Sequence, residues 1–296
     1  MRYRPFGTSG KAVSAISLAL RRAGGPSTAE AWRSLIFAAM ENGINCFDIG
    51  AGDEALERGV AEALQAVERR LLFLVFTIEG DPLRPLSAEA LADLVRQGLK
   101  RSSAGYFDVV MLGEAAYAGL TPQAKLLLQR VRDAAMALQL GVVGEGEVLA
   151  ECIRDPTYEV LATRYNLTSE WRTRRLLRDA AAVGMTAIGY DVAPAEMVRP
   201  QTASKLPALR KRSHNPLAGA GTYAFLHETA RWTPEELCLA FALTEPSLAT
   251  LQLDMSLANQ LEALAAVPDR DPPTALGAQV EMARFGAEPP DQRQRA

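Results

Sequence analysis

"ENGINCFDIGAGDEALERGVAEAL", residues 41–64, reads as the end of a helix, a short apolar strand over Ile44–Phe47, an aspartate at the strand's tip, then a loop and a second helix. That order is one β/α unit, and the tip of such a strand is where a barrel presents a catalytic carboxylate. Asp48 therefore marks both the fold and the place to look for function. Whether it is a working group or a remnant depends on the residues that accompany it.

The unit repeats along the whole chain. Short apolar runs recur as "SAISLAL", "GINCFDI", "LLFLVFT", "YFDVVMLG", "LGVVG", "YEVLATRY", "MTAIGYDV" and "LATLQLD". Amphipathic segments lie between them at Thr28–Met40, Ala55–Val67, Ser87–Leu99, Pro122–Leu138, Ser169–Val183 and Pro234–Leu243. "PSTAE", "LSAEA", "LTSE" and "WTPEE" each set Ser or Thr ahead of an acid, the mark of a helix start. Strands alternating with helices in this number predict a closed (β/α)8 TIM barrel. A doubly wound sheet is the competing reading, but no G-x-G-x-x-G follows the first strand. Residues 192–221 are rich in Pro, Ala and Gly and break the rhythm without an obvious helix. The tail from Pro268 to Ala296 does so again, with one helix expected at Ala275–Phe285 and a mobile end. The domain expectation is a barrel over 1–267 and a C-terminal extension over 268–296.

The chain has 296 residues, 48% of them hydrophobic, and a formal charge of −3, which suits one large cytoplasmic domain. No run approaches the ~18 apolar residues of a membrane span, and the first residues lack the layout of a signal peptide. Cys46, Cys152 and Cys238 are odd in number, far apart and set in apolar runs, as reduced core thiols are. The near-neutral charge gives no reason to expect nucleic-acid binding.

Several stretches, in order, resemble the aldo/keto reductases. "MRYRPFGTSGKAVSAISLAL" resembles that family's opening, in which a small hairpin plugs the barrel bottom. "AAMENGINCFDIG" is similar to its A-x-x-x-G-I-N-x-F-D-T-A segment. "LKRSSAGYFDVVML", "EVLATRYNL" and "GMTAIGYDVAP" resemble three later motifs, so the likeness spans most of 1–267. The resemblance implies carbonyl reduction by four groups. A tyrosine donates a proton, a lysine held by an aspartate lowers that tyrosine's pKa, and a histidine orients the carbonyl.

Only Asp48 matches. No tyrosine lies between Tyr3 and Tyr106, Ile78 falls at the lysine position and Gly113 at the histidine position. Removing a positioned general acid alone lowers a rate by roughly 10²–10⁴-fold, so the resemblance implies a catalytically impaired member. Loss of these groups from an intact barrel resembles the KidO-type regulators of cell division. That implies a cytoplasmic protein that senses NAD(H) and acts through protein partners, the tubulin-like division protein FtsZ and a cell-cycle histidine kinase.

The cofactor residues implied by the resemblance are Asp48, Tyr190 (stacking under a nicotinamide), Asp191, Asp254, Ser256 and Gln260. Ala162 stands where the family has a glutamine, and "GEGE" over Gly144–Glu147 where it has Ser-Asn. No lysine or arginine lies between Arg231 and Arg270, so a 2′-phosphate would lack a local cation, favouring NAD(H) over NADP(H). Two alternatives stand beside this: an active oxidoreductase with non-standard residues, and a carboxylate-based barrel enzyme. The second rests on Glu79, Glu114, Glu145, Glu147, Asp191 and Asp254, all at C-terminal strand ends, which read either as an acidic mouth or as helix caps. Asp48 itself reads as a ligand contact or as a cap for the helix beginning near Asp53. Lys205, Arg210, Lys211 and Arg212 form a basic run, either a solvated loop or a clamp for phosphates or an acidic protein surface.

Overall fold

A computed structural model of the protein describes residues 1–84, 86–199 and 223–287. Two short strands, β1 (Tyr3–Pro5) and β2 (Ala12–Ser14), pair antiparallel. Eight parallel strands follow: β3 (Ile16–Leu20), β4 (Cys46–Gly50), β5 (Phe73–Ile78), β6 (Phe107–Leu112), β7 (Ala137–Val143), β8 (Val160–Arg164), β9 (Thr186–Tyr190) and β10 (Leu248–Leu253). They hydrogen-bond in chain order and close, β10 pairing back onto β3 with Gln252 opposite Ser17. The (β/α)8 barrel expected from the sequence is the fold of the protein, and each of the eight apolar runs is one of its strands.

The strands are apolar because both faces are covered. Along β5, Phe73 and Val75 point into the barrel while Leu74, Phe76 and Ile78 point into the helix layer. The helices Ala29–Glu41, Ala88–Ser102, Pro122–Asp133 and Pro234–Ala242 are capped by Thr28, Ser87, Thr121 and Thr233, each accepting from a first-turn N–H. Two expectations differ. The segment Pro122–Leu138 is helical only to Asp133, because Ala135 takes a left-handed conformation (φ +53°) and Ala137 already begins β7. "LTSE" does not cap its helix: Trp171–Ala182 starts after Glu170, whose side chain makes no capping bond, while the Ser169 hydroxyl accepts from the Asn166 N–H instead.

The hairpin β1–β2 plugs the barrel at the N-terminal ends of its strands. Phe6 is fully buried, its ring centroid 4.3 Å from that of Phe73. Arg4 donates to the carbonyl oxygens of Leu243 (2.7 Å) and Leu248 (2.7 Å), tying the plug to the last β/α unit. Buried Asp108 accepts from Lys11, from Arg69 (2.8 Å) and from the Leu74 N–H (2.8 Å). The expected tail helix is present as Leu276–Ala287, with Leu276, Val280 and Ala283 buried and Arg284 donating to the Leu167 carbonyl (2.8 Å). A short turn of helix, Ala195–Val198, follows β9. The basic run Lys205–Arg212 and the end of the tail, 288–296, lie outside the described residues. Among the described residues no helix is long and apolar enough to cross a membrane.

All three cysteines are free and buried. Burial pushes every one of these thiols up, Cys152 and Cys238 to about 12, which suppresses the reactive thiolate. At neutral pH a thiol reagent should label none of them in the folded protein at the rate of a free thiol. Labelling should instead follow unfolding and reach all three in urea. Fast labelling of any one without urea would contradict the burial.

Candidate functional site

Inward-facing positions alternate along each strand, so the residue one step beyond a strand's last inward side chain reaches the mouth. On the β3 side this series runs Ser17, Ala19, Arg21; on β4 it runs Cys46 and Asp48; on β5, Val75, Thr77 and Glu79. Asp48 is 2% exposed, and three residues make four hydrogen bonds to its carboxylate and carbonyl. Arg21 donates to its Oδ2 (2.8 Å) and, through its other amino group, to its backbone oxygen (2.9 Å). The Thr77 hydroxyl donates to Oδ1 (2.7 Å), and the Gln252 amide donates to Oδ2 (2.7 Å). The helix Glu54–Leu64 is capped by Asp53, which accepts from the N–H groups of Ala55 and Leu56, so the capping reading of Asp48 is corrected.

The cation beside Asp48 is thus an arginine from the end of the first barrel strand rather than a lysine from the third. Burial works to lower the Arg21 pKa, but the charge and hydrogen bond of Asp48 outweigh it and raise it above the ordinary guanidinium value. A group so strongly protonated holds its proton and cannot act as an acid near neutrality. Ile78 points away from the barrel interior, and the β5 side chain that touches Asp48 is Thr77. At Gly113 a Cβ would lie 2.8 Å from both the Glu79 carbonyl and its Oε2. The Glu79 carboxylate occupies the room that a side chain at Gly113 would need. Only four residues, 49–52, separate Asp48 from the cap Asp53, and none is aromatic.

A second cluster lies across the ends of β8 and β9. Arg164 bridges Glu145 (3.3 Å) and Asp191 (3.1 Å). The Tyr190 hydroxyl lies 3.5 Å from Glu145, and burial, with that carboxylate, pushes its pKa up, so it too keeps its proton. Asp191 adopts a left-handed backbone (φ +53°), its carbonyl held by the Asn166 amide (3.0 Å). Burial raises the Asp191 pKa; Arg164 opposes the shift, and the carboxylates of Glu196, Asp254 and Glu145 add to it.

Asp254 and Ser256 form a third, local group: the Asp254 carboxylate caps the turn Met255–Gln260 by accepting from the Ser256 N–H (2.8 Å) and hydroxyl. Gln260 turns away to Glu235 (3.3 Å) at the start of the helix Pro234–Ala242. Of the six acids at the strand ends, Asp254 acts as a hydrogen-bonded cap. Glu79 lies 3.8 Å from Arg21, while Glu145 and Asp191 share Arg164. Among the described residues no group of three or more His, Cys, Asp or Glu could hold a metal ion. Sequence reading singled out neither Arg21 nor Gln252 as a partner of Asp48, nor Arg164 as a partner of Asp191. Their inward strand parity was the available signal.

A closed β/α barrel with a hairpin plug and a buried carboxylate at the second strand's tip defines the architectural class. No protein-family model matches the sequence, and no curated protein does. Among solved structures the chain is similar to the aldo-keto reductase AKR11C1 from Bacillus halodurans. Against its holo form the TM-score is 0.76 at 17% identity, covering 97% of each chain; against its apo form it is 0.70 at 18% identity, covering 97% of this chain and 96% of that one. The protein therefore has the aldo-keto reductase fold.

Replacing Asp48→Ala alone should lower stability in urea unfolding by about 3 kcal/mol, since it leaves Arg21 facing a cavity without its partner. The double replacement Asp48→Leu with Arg21→Met should recover much of that loss. Additive losses in the double variant would mean that the pair is not coupled.

Proposed function

We propose that this chain is a degenerate aldo-keto reductase homologue that binds NAD(H) at its barrel mouth, does not reduce carbonyls, and works as a regulatory protein. The observation that carries the reading is the surrounded Asp48: its carboxylate is engaged by Arg21, Thr77 and Gln252, and among the described residues no side chain bonded to it gives up a proton near pH 7. Carbonyl reduction needs a proton delivered as hydride arrives. A guanidinium with a raised pKa stabilises charge but supplies no proton. Glu79, in the room above Gly113, places a carboxylate where the family's chemistry calls for a neutral donor to the substrate oxygen.

Dinucleotide binding is supported by what remains. Tyr190 offers a half-buried aromatic face at the end of β9. Arg164 brings a cation beside Asp191, offsetting the carboxylates that would otherwise repel a pyrophosphate. Asp254 and Ser256 stand at the end of β10, and Asp48 and Gln260 complete the proposed cofactor set, Gln260 through its place in the turn that follows. The run from Trp232 to Asp269 has no lysine or arginine, which favours NAD(H) over its 2′-phosphorylated form. Regulation through partners, in the manner of KidO-type division regulators with FtsZ and a cell-cycle histidine kinase, follows from a ligand-binding barrel without turnover. The carboxylate-enzyme reading is weaker, because Arg21 and Arg164 pair with Glu79, Glu145 and Asp191.

Titration with NADH, followed by quenching of protein fluorescence, should saturate, and NADPH should bind more weakly by about tenfold or more. Tyr190→Ala should weaken NADH binding by about 1 kcal/mol, the worth of an aromatic stack. An aldehyde panel with either nucleotide should give no turnover. Steady reduction that disappears in Asp48→Asn would replace this reading with an active reductase. Pull-downs with and without NADH should recover FtsZ or the kinase in a nucleotide-dependent way.

A further inference from the structure

The outer helix Trp171–Ala182, WRTRRLLRDAAA, holds four arginines against one aspartate, in a chain with 35 acidic and 32 basic residues. The helix Ala88–Ser102, by contrast, mixes Glu89 and Asp93 with Arg96, Lys100 and Arg101. Residues three and four apart share a helix face, so Trp171, Arg175, Arg178 and Ala182 form one stripe. Leu177 and Ala180 hold the opposite face against the barrel. The four stripe residues are all exposed, and exposed Arg172 flanks them.

Two features separate this face from an ordinary solvated one. First, the fold does not use its cations. Among the described residues Arg172 and Arg178 make no ion pair, and Arg175 only approaches Asp179, at 3.7 Å, with both side chains exposed. An exposed pair of that length contributes little. Arg174, on the flank of the helix, is the arginine that serves the fold, reaching Glu281 of the tail helix (3.2 Å). Second, Trp171 is 62% exposed. Trp32 is fully buried, and Trp232 lies under the Arg270 guanidinium, 3.7 Å from its ring centroid. Exposed tryptophan and arginine are the residue types that dominate protein interfaces. The face also has relief: a cleft of about 420 Å³ opens along its Arg172 edge, with Thr173 and Leu176 on the wall.

We propose that this face docks an acidic, amphipathic segment of a partner protein, its carboxylates on Arg172, Arg175 and Arg178 and an apolar residue against Trp171. Charge complementarity selects the occupant. Every cation here is an arginine, whose planar fork meets a carboxylate through two parallel hydrogen bonds. The helix is about 18 Å long, so acids three or four residues apart on a partner helix match the arginine spacing. A nucleic acid fits less well, because Glu145 and Glu170 line the cleft and Asp179 interrupts the face, whereas a phosphate backbone carries charge continuously. A membrane fits less well because Trp171 stands alone, without the apolar stripe of an interfacial helix. The inference rests on the partner-binding half of the function proposed above and gives that partner a seat; it does not involve the nucleotide.

Anisotropy of a labelled peptide tests this, using about twelve residues of Glu, Ala and Leu with the acids three and four apart. It should bind saturably, and the same peptide with Gln for Glu should not. Raising salt from about 50 to about 300 mM should weaken binding by about tenfold or more. Arg175→Glu with Arg178→Glu should lower affinity by at least about tenfold, whereas Lys100→Glu with Arg130→Glu, the same charge change on other exposed faces, should leave it within about twofold. Binding should also shield Trp171 from acrylamide quenching, a change lost in Trp171→Phe. Arg178→Ala alone, at an exposed position, should weaken binding in the same direction and keeps the test decisive if the charge reversal unfolds. No saturable binding up to about 1 mM, or equal losses in the two double variants, would overturn the proposal. Tighter binding of a single-stranded oligonucleotide or of phosphatidylserine vesicles through Arg175 and Arg178 would overturn it too, in favour of a polyanion or lipid face. NADH titration of the same variants should be unchanged, so failure of docking is distinguishable from failure at the mouth.

Discussion

A carboxylate with 2% of its surface in contact with solvent persists only where donors surround it, and Asp48 draws its donors from three places in the barrel. Arg21 follows β3, Thr77 lies in β5 and Gln252 in β10. Asp48 lies on β4, beside β3, and Gln252 reaches it from β10 across the closing seam where β10 meets β3. Its charge holds together side chains from sequence positions more than two hundred residues apart. That gives the residue a purpose independent of chemistry, since a buried anion with these donors ties the barrel together.

The strands were legible because their burial leaves a direct trace. Runs such as Phe73–Ile78 are apolar on both faces, and turn residues separate them from helices with one apolar stripe. The misreadings have equally local causes. Ala135 enters a left-handed conformation that alanine seldom takes, so nothing in "AAMALQL" announced the helix end. Ser169 has the chemistry of a cap, but the Asn166 turn claims its oxygen first. Ile78 and Thr77 differ by one residue, and in a strand one residue decides inside from outside.

The site was less legible than the fold, since it depends on which way long side chains lean. Six acids at strand ends suggest a strongly negative mouth when only position is known. Arg21 and Arg164 sit at inward positions of their strands, and their guanidinium groups divide that field into alternating patches. Strand parity identifies such arginines as candidates, but their pairing with Asp48 or Asp191 is set by rotamers that the sequence does not display.

Arg4 reaches from the hairpin plug to carbonyls at Leu243 and Leu248, and the amino group of Met1 reaches Asp269. During synthesis on the ribosome those acceptors are the last parts of the barrel to emerge. The hairpin thus has no finished seat until β10 and the segment after it have left the exit tunnel. A nascent chain of this protein must carry an unplugged, unclosed sheet through most of its translation, and that interval is when it most needs shielding by chaperones.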